Sequence, residues 1–295
     1  MKIHHSIFVS RDISEQVFSG CGIQFKQDGR FEEYDITEDD PRWPRVAEAI
    51  SRYQETFDAL RGFATPSSNA GDRVWTEFSD EERKQAPFLE MGAWYHGYPQ
   101  PQDYRHDARS KIDKLPYLRQ TYGFSEACEK CWAGRKQTAP FRMKKSQVWG
   151  RRSILQLEWV TDEFFVRPDV YESIFRPFGI GSRPVLLHTT GAALDTVVQL
   201  VIDTTAEVQV HGIPLERVCA GCGEKDYHRS TRGFPPAPEH AKPPVFKSRQ
   251  VFNGYNRRVY VSSGLYQKIA DAKLKGFEFA PCKPASSTGN AIVES

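Results

Sequence analysis

The stretch Cys219-Ala-Gly-Cys222-Gly223 decides how the fold of this chain is interpreted. It directly follows Leu215-Glu-Arg-Val218, a segment typical of a β-strand that runs into a tight turn. Two cysteines separated by two residues can direct both sulfur atoms at one centre, and the glycines permit the positive φ angles that such a turn often needs. The stretch therefore predicts a knuckle, a turn that offers two thiolate ligands to a metal ion.

A second pair, Cys128-Glu-Lys-Cys131, lies upstream and completes the ligand set of a closed tetrahedral zinc site. We predict one structural zinc ion bound by Cys128, Cys131, Cys219 and Cys222, joining segments that 87 residues separate. Buried thiols without a metal, or dithiol redox motifs, are the alternatives. No thioredoxin-like strand–Cys-x-x-Cys–helix pattern surrounds either pair. Neither pair has a His or Asp placed as a further ligand, so a catalytic zinc with an open position is less favoured.

The composition is that of a globular protein with a sizeable core. The 295 residues are enough for one large domain or two, and the net charge of +2 favours no class of partner. No apolar run approaches the roughly 18 residues of a membrane span, and the apolar core of residues 1–10 is too short for a signal peptide. We therefore expect a cytoplasmic protein, in which paired cysteines favour metal. The remaining cysteines, Cys21 and Cys282, are expected to be buried small apolar residues.

The clearest helix in the sequence begins at Asp40-Pro41. Aspartate is a good N-cap and proline is tolerated in the first turn. Apolar residues then recur at a spacing of three and four as far as Leu60, and Gly62 ends the helix. Before it, residues 1–35 predict short strands. Six acidic residues between Glu32 and Asp40 predict a solvated loop or, alternatively, a partner-binding patch.

Most of the other predicted elements are strands. We therefore expect an α+β fold, mainly an antiparallel sheet with a few helices, held together by a zinc-ribbon-like site of four cysteines. The chain divides into an N-terminal α/β segment (1–75), a central sheet region with the zinc knuckles (76–232) and a C-terminal strand–helix–strand unit packed on the rest (245–283). The Pro-rich residues 233–244 predict a linker or a wrapped loop. Residues 284–295 predict a disordered tail.

No motif indicates catalysis. The sequence has no nucleophile elbow, phosphate-binding loop, dinucleotide glycine motif or His-Glu-x-x-His motif. A thiol of the second knuckle could serve as a catalytic nucleophile with His228 as its base, but a metal-binding knuckle explains the same residues better. We expect the protein not to be an enzyme, with a metal-dependent hydrolase as one alternative.

A basic stretch follows the first knuckle. Residues 133–157 contain seven basic residues, no acidic residue, and the aromatic residues Phe141 and Trp149. Basic residues interleaved with aromatic ones can hold single-stranded nucleic acid. They can equally surround an acidic protein surface or form a solvated loop. A zinc-ribbon nucleic-acid-binding protein that uses residues 135–152 is therefore the alternative function.

Further stretches form a pattern with the two cysteine pairs, and on this pattern the chain resembles the double-CXXCG motif proteins of myxobacteria. These proteins are grouped with the immunity proteins of the Sit swarming-inhibition toxins. The resemblance covers roughly residues 85–282. The stretches that carry it, besides the cysteine pairs, are Pro140-Phe-Arg142, Trp149-Gly-Arg-Arg152, Ile154-Leu-Gln-Leu157, Asp162-Glu-Phe-Phe-Val166, Phe175-Arg-Pro-Phe-Gly-Ile180 and Val197-Val-Gln-Leu-Val201.

The resemblance implies a cytoplasmic protein that binds and neutralises a cognate toxin delivered by neighbouring cells, without chemistry of its own. Two charged sets are candidate contacts for the toxin, because exposed charge gives specificity among related partners. The acidic set is Glu38, Asp39 and Asp40, and the basic set is Arg142, Lys144 and Lys145. One residue departs from the family pattern: Trp132 replaces the Gly expected after Cys131, so the first knuckle is expected to turn differently.

Overall fold

The computed structural model describes residues 1–28, 31–60, 70–93, 116–156, 160–229, 231–240 and 243–283. It divides into two compact units. The first unit comprises Met1–Asp80 with Ser230–Phe234, and the second comprises Glu81–Arg229 with Pro235–Ser295. The fold is α+β, with mainly antiparallel sheets and few helices, which confirms the predicted fold class.

The elements are numbered in chain order. In and directly after the first unit they are β1 (Lys2–Val9), α1 (Arg11–Phe18), β2 (Lys26–Asp28), β3 (Phe31–Thr37), α2 (Trp43–Leu60), β4 (Ala70–Glu77) and α3 (Asp80–Gln85). In the second unit they are β5 (Phe88–Ala93), α4 (Pro116–Thr121), β6 (Tyr122–Gly123), β7 (Lys136–Gln137), β8 (Arg142–Met143), β9 (Ile154–Gln156), β10 (Phe164–Val166), α5 (Pro168–Val170), β11 (Gly181–Leu187), β12 (Ala193–Val201), β13 (Thr205–Ala206), β14 (Leu215–Val218), β15 (Lys225–Tyr227), β16 (Val245–Phe252), β17 (Asn256–Ser262), α6 (Ser263–Asp271) and β18 (Phe277–Pro281).

The first unit is built on an antiparallel sheet with the strand order β2-β3-β1-β4. The short strands predicted within residues 1–35 are present as β1, β2 and β3, but the prediction was wrong at two places in this region. Arg11–Phe18 is a helix, in which the buried Ser14 and Phe18 side chains lie four residues apart on one face. That pattern is too sparse to be recognised from apolar residues alone. Glu32–Thr37 belongs to β3 instead of a solvated loop: Ile36 is buried and Asp35 is exposed, which is the alternation of a strand.

The predicted helix after Asp40 is confirmed as α2. The Asp40 carboxylate accepts a hydrogen bond from the backbone N–H of Arg42 at 2.8 Å, and the Asp40 carbonyl accepts from Trp43 N–H at 2.9 Å. Val46 and Ala49 are fully buried against the sheet. The predicted end at Gly62 lies outside the described residues. Among the helices that the structure describes, none is long and apolar enough to cross a membrane.

The larger sheet of the second unit has the strand order β14-β15-β16-β17-β5-β18, and β13 pairs with β16. The pairs β15–β16 and β13–β16 are parallel, and the others are antiparallel. This sheet therefore joins strands from the two segments that were predicted as 76–232 and 245–283. The predicted division of the chain itself stays a prediction.

A second sheet of five strands, β8-β11-β12-β10-β9, packs on the larger one. One buried cluster contains Leu89 and Val261 of the larger sheet, Phe164 of the five-stranded sheet, and Phe175 and Leu265 from helical segments. A short helix, α5, follows Arg167 and leads into a π-helical turn at Tyr171–Phe175 and a 3-10 turn at Arg176–Phe178. The two sheets thus share one core.

The C-terminal strand–helix–strand pattern is confirmed as β17, α6 and β18. Ser262 caps α6, because its side chain accepts from Leu265 N–H at 3.4 Å. The described part of the Pro-rich segment is a wrapped loop: residues 235–238 are buried, and Ala237 O accepts from Gln209 N–H at 2.9 Å. The predicted tail, 284–295, lies outside the described residues.

Candidate metal centre

Each cysteine pair lies in the turn of a β-hairpin, which is the arrangement of a zinc ribbon. Cys128 and Cys131 lie between β6 and β7, which pair antiparallel. Cys219 and Cys222 lie between β14 and β15, also antiparallel. The strand predicted before the second knuckle is therefore confirmed. The hairpin around the first knuckle was not predicted, because its strands have only two residues each.

The two knuckles have the same backbone hydrogen bonds. In the first, Trp132 N–H donates to Cys128 O at 2.8 Å, and Cys128 N–H donates to Ala133 O at 2.9 Å. In the second, the corresponding bonds run from Gly223 to Cys219 at 2.9 Å and from Cys219 to Glu224 at 2.8 Å. The expectation that the first knuckle turns differently is therefore wrong.

Trp132 adopts the backbone conformation that glycine has in the other knuckle. Its φ is 68°, and the φ of Gly223 is 78°. A residue with a side chain is rarely found in this left-handed region, which disfavours it by about 1–2 kcal/mol. The Trp132 ring packs edge-on against Phe124, with the ring centroids 6.4 Å apart. Packing thus offsets part of the strain in the first knuckle.

The four cysteine sulfurs meet at one point. All four lie within 4.8 Å of one another, with 3.7 Å between Cys128 Sγ and Cys219 Sγ and 3.5 Å between Cys131 Sγ and Cys222 Sγ. Sulfurs at about 2.3 Å from a tetrahedral metal lie about 3.8 Å apart, whereas a disulfide needs about 2.05 Å. The donor set therefore fits one metal ion bound by four thiolates.

The protein environment favours a thiolate at Cys219. Backbone N–H groups of Gly221 and Cys222 point at this sulfur and lower its pKa to about 6, and the bond from Gly221 measures 3.4 Å. In contrast, burial raises the pKa of the Cys131 thiol. Bonds of the N–H to sulfur type hold a thiolate ligand in its charged form and orient it. Cys131 needs a positive centre beside it to ionise, and a bound metal supplies one.

Gly221 allows the two knuckles to approach each other. A β-carbon at this position would lie 2.9 Å from Cys128 Sγ, closer than real contacts of this kind. The corresponding residue of the first knuckle is Lys130, whose side chain lies over Gly221. The Lys130 side chain of the first knuckle therefore has room because Gly221 of the second knuckle has no side chain.

Asp226 supports the centre and was missed by sequence reasoning. Its side chain is completely buried beside the second knuckle and accepts from Arg217 Nε at 2.9 Å. It also accepts from the backbone N–H groups of Gly254 at 2.9 Å and Tyr255 at 3.3 Å. Asp226 thus fixes the β14–β15 hairpin to the turn between β16 and β17. An isolated Asp after a glycine-rich turn carries no signal that it will be buried.

Glu38, a predicted partner contact in the first unit, is already engaged by neighbouring side chains. One carboxylate oxygen pairs with His5 Nε2 at 2.9 Å, and the other accepts from Arg232 at 3.1 Å. The Glu38 side chain is 21% exposed. It therefore offers little uncompensated negative charge to a partner.

Asp39 and Asp40 are also engaged locally. Arg42 donates to both oxygens of Asp40, at 2.9 and 2.7 Å, and these bonds lower the pKa of Asp40 to about 2. Asp39 is exposed and accepts from the Thr37 hydroxyl, which lowers its pKa. Of the acidic set, Asp39 is the most accessible to a partner.

The basic set lies at β8 and just after it, in the second unit. Arg142 is half-buried between the fully buried Phe141 and Met143. Lys144 and Lys145 are both exposed. Two of the three predicted basic contacts are therefore open to a partner.

Searches against protein families, curated proteins and solved structures found no match to this chain.

Proposed function

We propose that the four cysteines bind a structural zinc ion. Four sulfur ligands in a tetrahedral arrangement are typical of zinc or of an iron–sulfur cluster. The proposal of zinc is supported by the two hairpin knuckles, which resemble those of zinc ribbons. Metal analysis of protein purified without a histidine tag tests it. One equivalent of zinc is expected, and one or more equivalents of iron with a visible absorption band would contradict it.

The centre acts in stability rather than in catalysis. A catalytic zinc keeps one position open for water or substrate. In the part of the chain that the structure describes, the metal-binding group consists of four cysteines alone. Four thiolates complete the tetrahedron, and a substrate has no position on the metal.

The function we propose is that of an immunity protein, which binds a cognate toxin in the cytoplasm and neutralises it. The observation that carries this proposal is that the two Cys-x-x-Cys motifs form one centre. These two motifs carry the resemblance to the double-CXXCG proteins. Because one site uses both motifs, their occurrence together in this chain supports the resemblance. Toxin specificity would then come from the surface around this cross-linked unit.

The contact surface that we favour is the basic set at β8. Lys144 and Lys145 are exposed, whereas Glu38 and Asp40 are paired with arginines. When a partner binds a charge that already belongs to an ion pair, the free-energy cost of desolvating that pair offsets most of the free energy gained from the new contact. We therefore place Lys144 and Lys145 ahead of the acidic set as toxin contacts.

Co-expression with the cognate toxin tests the function. The toxin alone should arrest growth, and this chain should restore growth by forming a complex of one protein with one toxin. The variant Lys144→Glu/Lys145→Glu should weaken the complex, with Asp39→Lys as the comparison for the acidic set. Full neutralisation at a small fraction of one equivalent, with chemical alteration of the toxin, would refute a binding mechanism.

The alternative, a nucleic-acid-binding protein, is less favoured by the charges of its own stretch. Arg135 faces Asp162 at 3.7 Å, and Lys136 pairs with Glu126 at 2.5 Å. These carboxylates compensate the start of the basic stretch, and binding to a phosphate backbone depends on uncompensated charge. Salt-dependent binding of a single-stranded oligonucleotide, lost in the Lys144→Glu/Lys145→Glu variant while toxin protection survives, would favour this alternative.

A further inference from the structure

A cleft of about 480 Å³ lies beside the cysteine cluster in the second unit. The first knuckle contributes Trp132 and Gly134 to its wall, the second contributes Glu224, and the β16–β17 turn contributes Tyr255. Sites for small molecules usually have volumes of roughly 300–1,000 Å³. The cleft therefore has the size of a small-molecule site, and its wall is built in part by the metal centre.

Basic side chains outnumber acidic ones in this cleft. The acidic residues are Asp162, Glu163, Asp203 and Glu224. The basic residues are Arg135, Lys136, Arg183, Lys247, Arg249 and Arg257. The lining thus has a net positive charge, which favours an anionic ligand.

The buried floor of the cleft is electrically balanced. Lys247 Nζ lies 2.7 Å from Glu163 Oε1 and 3.5 Å from Asp162 Oδ2, and Arg135 lies 3.7 Å from Asp162 Oδ1. Two positive and two negative groups therefore cancel, and the ion pairs keep them charged despite burial. The floor contributes no free charge to a ligand.

Arg257 is the cation that this balance leaves over. Lys136, Arg183 and Arg249 each have a carboxylate within 4.0 Å. The half-buried Arg257 guanidinium has no hydrogen bond, and no carboxylate within 4.0 Å, among the residues in the described ranges, although its charge acts on Asp162 and helps to lower the pKa of that carboxyl. A planar guanidinium recognises phosphate through two parallel hydrogen bonds. A phosphate group would supply the hydrogen-bonded partner that Arg257 lacks among the described residues.

Two aromatic residues of the cleft wall have strained backbones. Trp132 and Tyr255 have φ angles of 68° and 63°, and they are two of the four described non-glycine residues with positive φ. Such strain persists where the surroundings impose it, and it is concentrated at functional sites. Asp226 imposes it at Tyr255 by binding the Tyr255 N–H. Arg217 lies over one face of the Tyr255 ring, 5.2 Å from its centroid, and the Trp132 ring packs edge-on against Phe124. A planar ring in the cleft would stack on the remaining faces of these two aromatic side chains.

We infer that the cleft binds a small phosphate-bearing molecule of nucleotide size. In this site Arg257 binds the phosphate, and Trp132 and Tyr255 contact the attached ring. This site goes beyond the proposed immunity function and does not depend on it, because it is argued from the cleft alone.

Isothermal titration of the metal-loaded full chain tests this inference with AMP, ADP, inorganic phosphate and citrate as probes. AMP or ADP should bind more tightly than phosphate or citrate. Arg257→Gln should weaken nucleotide binding by about tenfold or more, since a hydrogen-bonded charge is lost. Arg151→Gln is the matched control, because Arg151 is exposed and lies outside the cleft lining, and it should change nothing.

A second variant keeps the test decisive if Arg257→Gln does not fold. Trp132→Gly relieves backbone strain, so it should fold, and it should weaken nucleotide binding by about fivefold or more through lost stacking. The inference is overturned if no nucleotide binds at millimolar concentration, or if phosphate or citrate binds as tightly as ADP. It is also overturned if the folded Arg257→Gln or Trp132→Gly variant binds ADP like wild type.

Discussion

Loss of one metal ligand should destabilise the second unit by a large and calculable amount. A metal bound by both knuckles joins Cys128 to Cys219, which are 91 residues apart in sequence. For a cross-link that closes a loop of this length, the chain-entropy relation gives roughly 4–5 kcal/mol. In a unit of roughly 200 residues, 1 kcal/mol shifts the melting temperature by about 2–4 °C. We therefore expect Cys222→Ser to lower the melting temperature of this unit by roughly 10–20 °C.

The assay is calorimetric unfolding of wild type and Cys222→Ser, each measured with zinc and after treatment with a chelator. Chelation should lower the transition of wild type to that of Cys222→Ser, and it should leave the variant nearly unchanged. Cys21→Ser is the matched control, because Cys21 is also buried but lies in the core of the first unit. This control should keep the full metal content and the chelator-sensitive transition of wild type.

If wild type shown to be free of metal melts within about 3 °C of the loaded protein, the cross-link does not constrain the unfolded chain as the entropy relation requires. A fall of the same size in Cys21→Ser would assign the loss to the removal of a buried thiol in general.

Three further results are expected. Gly221→Ala should weaken zinc binding by about tenfold or more, because its β-carbon would lie 2.9 Å from a ligand sulfur. The control Gly20→Ala should bind zinc like wild type, because a β-carbon at Gly20 would meet no atom within 4 Å. Trp132→Gly should leave the free energy of unfolding within about 1 kcal/mol of wild type, because relief of about 1–2 kcal/mol of backbone strain offsets a lost aromatic contact of similar size; a loss of more than about 3 kcal/mol in a urea titration would contradict this. Burial alone would raise the pKa of Asp162, but the positive charges of Lys247, Arg135 and Arg257 outweigh it and hold the pKa below its usual range. The stabilisation from Asp162 should therefore be complete above about pH 4, the unfolded pKa, and lost as the pH falls below it; urea titrations at several pH values should show this loss in wild type and not in Asp162→Asn.

Elements whose pattern lies within a few residues of sequence could be predicted from the sequence alone. The helix α2 follows from a cap and an apolar spacing of three and four, and the ending β17-α6-β18 follows from alternation and a serine cap. The helix α1 and the strand β3 could not be read in this way. In α1 a buried position is filled by the polar Ser14, and in β3 the buried Ile36 is surrounded by half-buried or exposed acidic residues such as Glu33, which accepts a hydrogen bond from the Ser6 hydroxyl across the sheet at 2.8 Å.

By itself, the sequence determined that four thiolates are available in two knuckles, because Cys-x-x-Cys spacing with glycine is a local property of the chain. Only the tertiary structure decided that the knuckles meet, that Gly221 leaves room for Cys128, and that Trp132 takes a conformation suited to glycine. It also decided which charges pair: Lys247 bonds to Glu163 across 84 residues of sequence, and the Arg257 guanidinium has no hydrogen bond or ion pair among the described residues. The physical reason is that coordination and ion pairing act over a few ångströms in space. Sequence distance does not limit them, and no local pattern reports them.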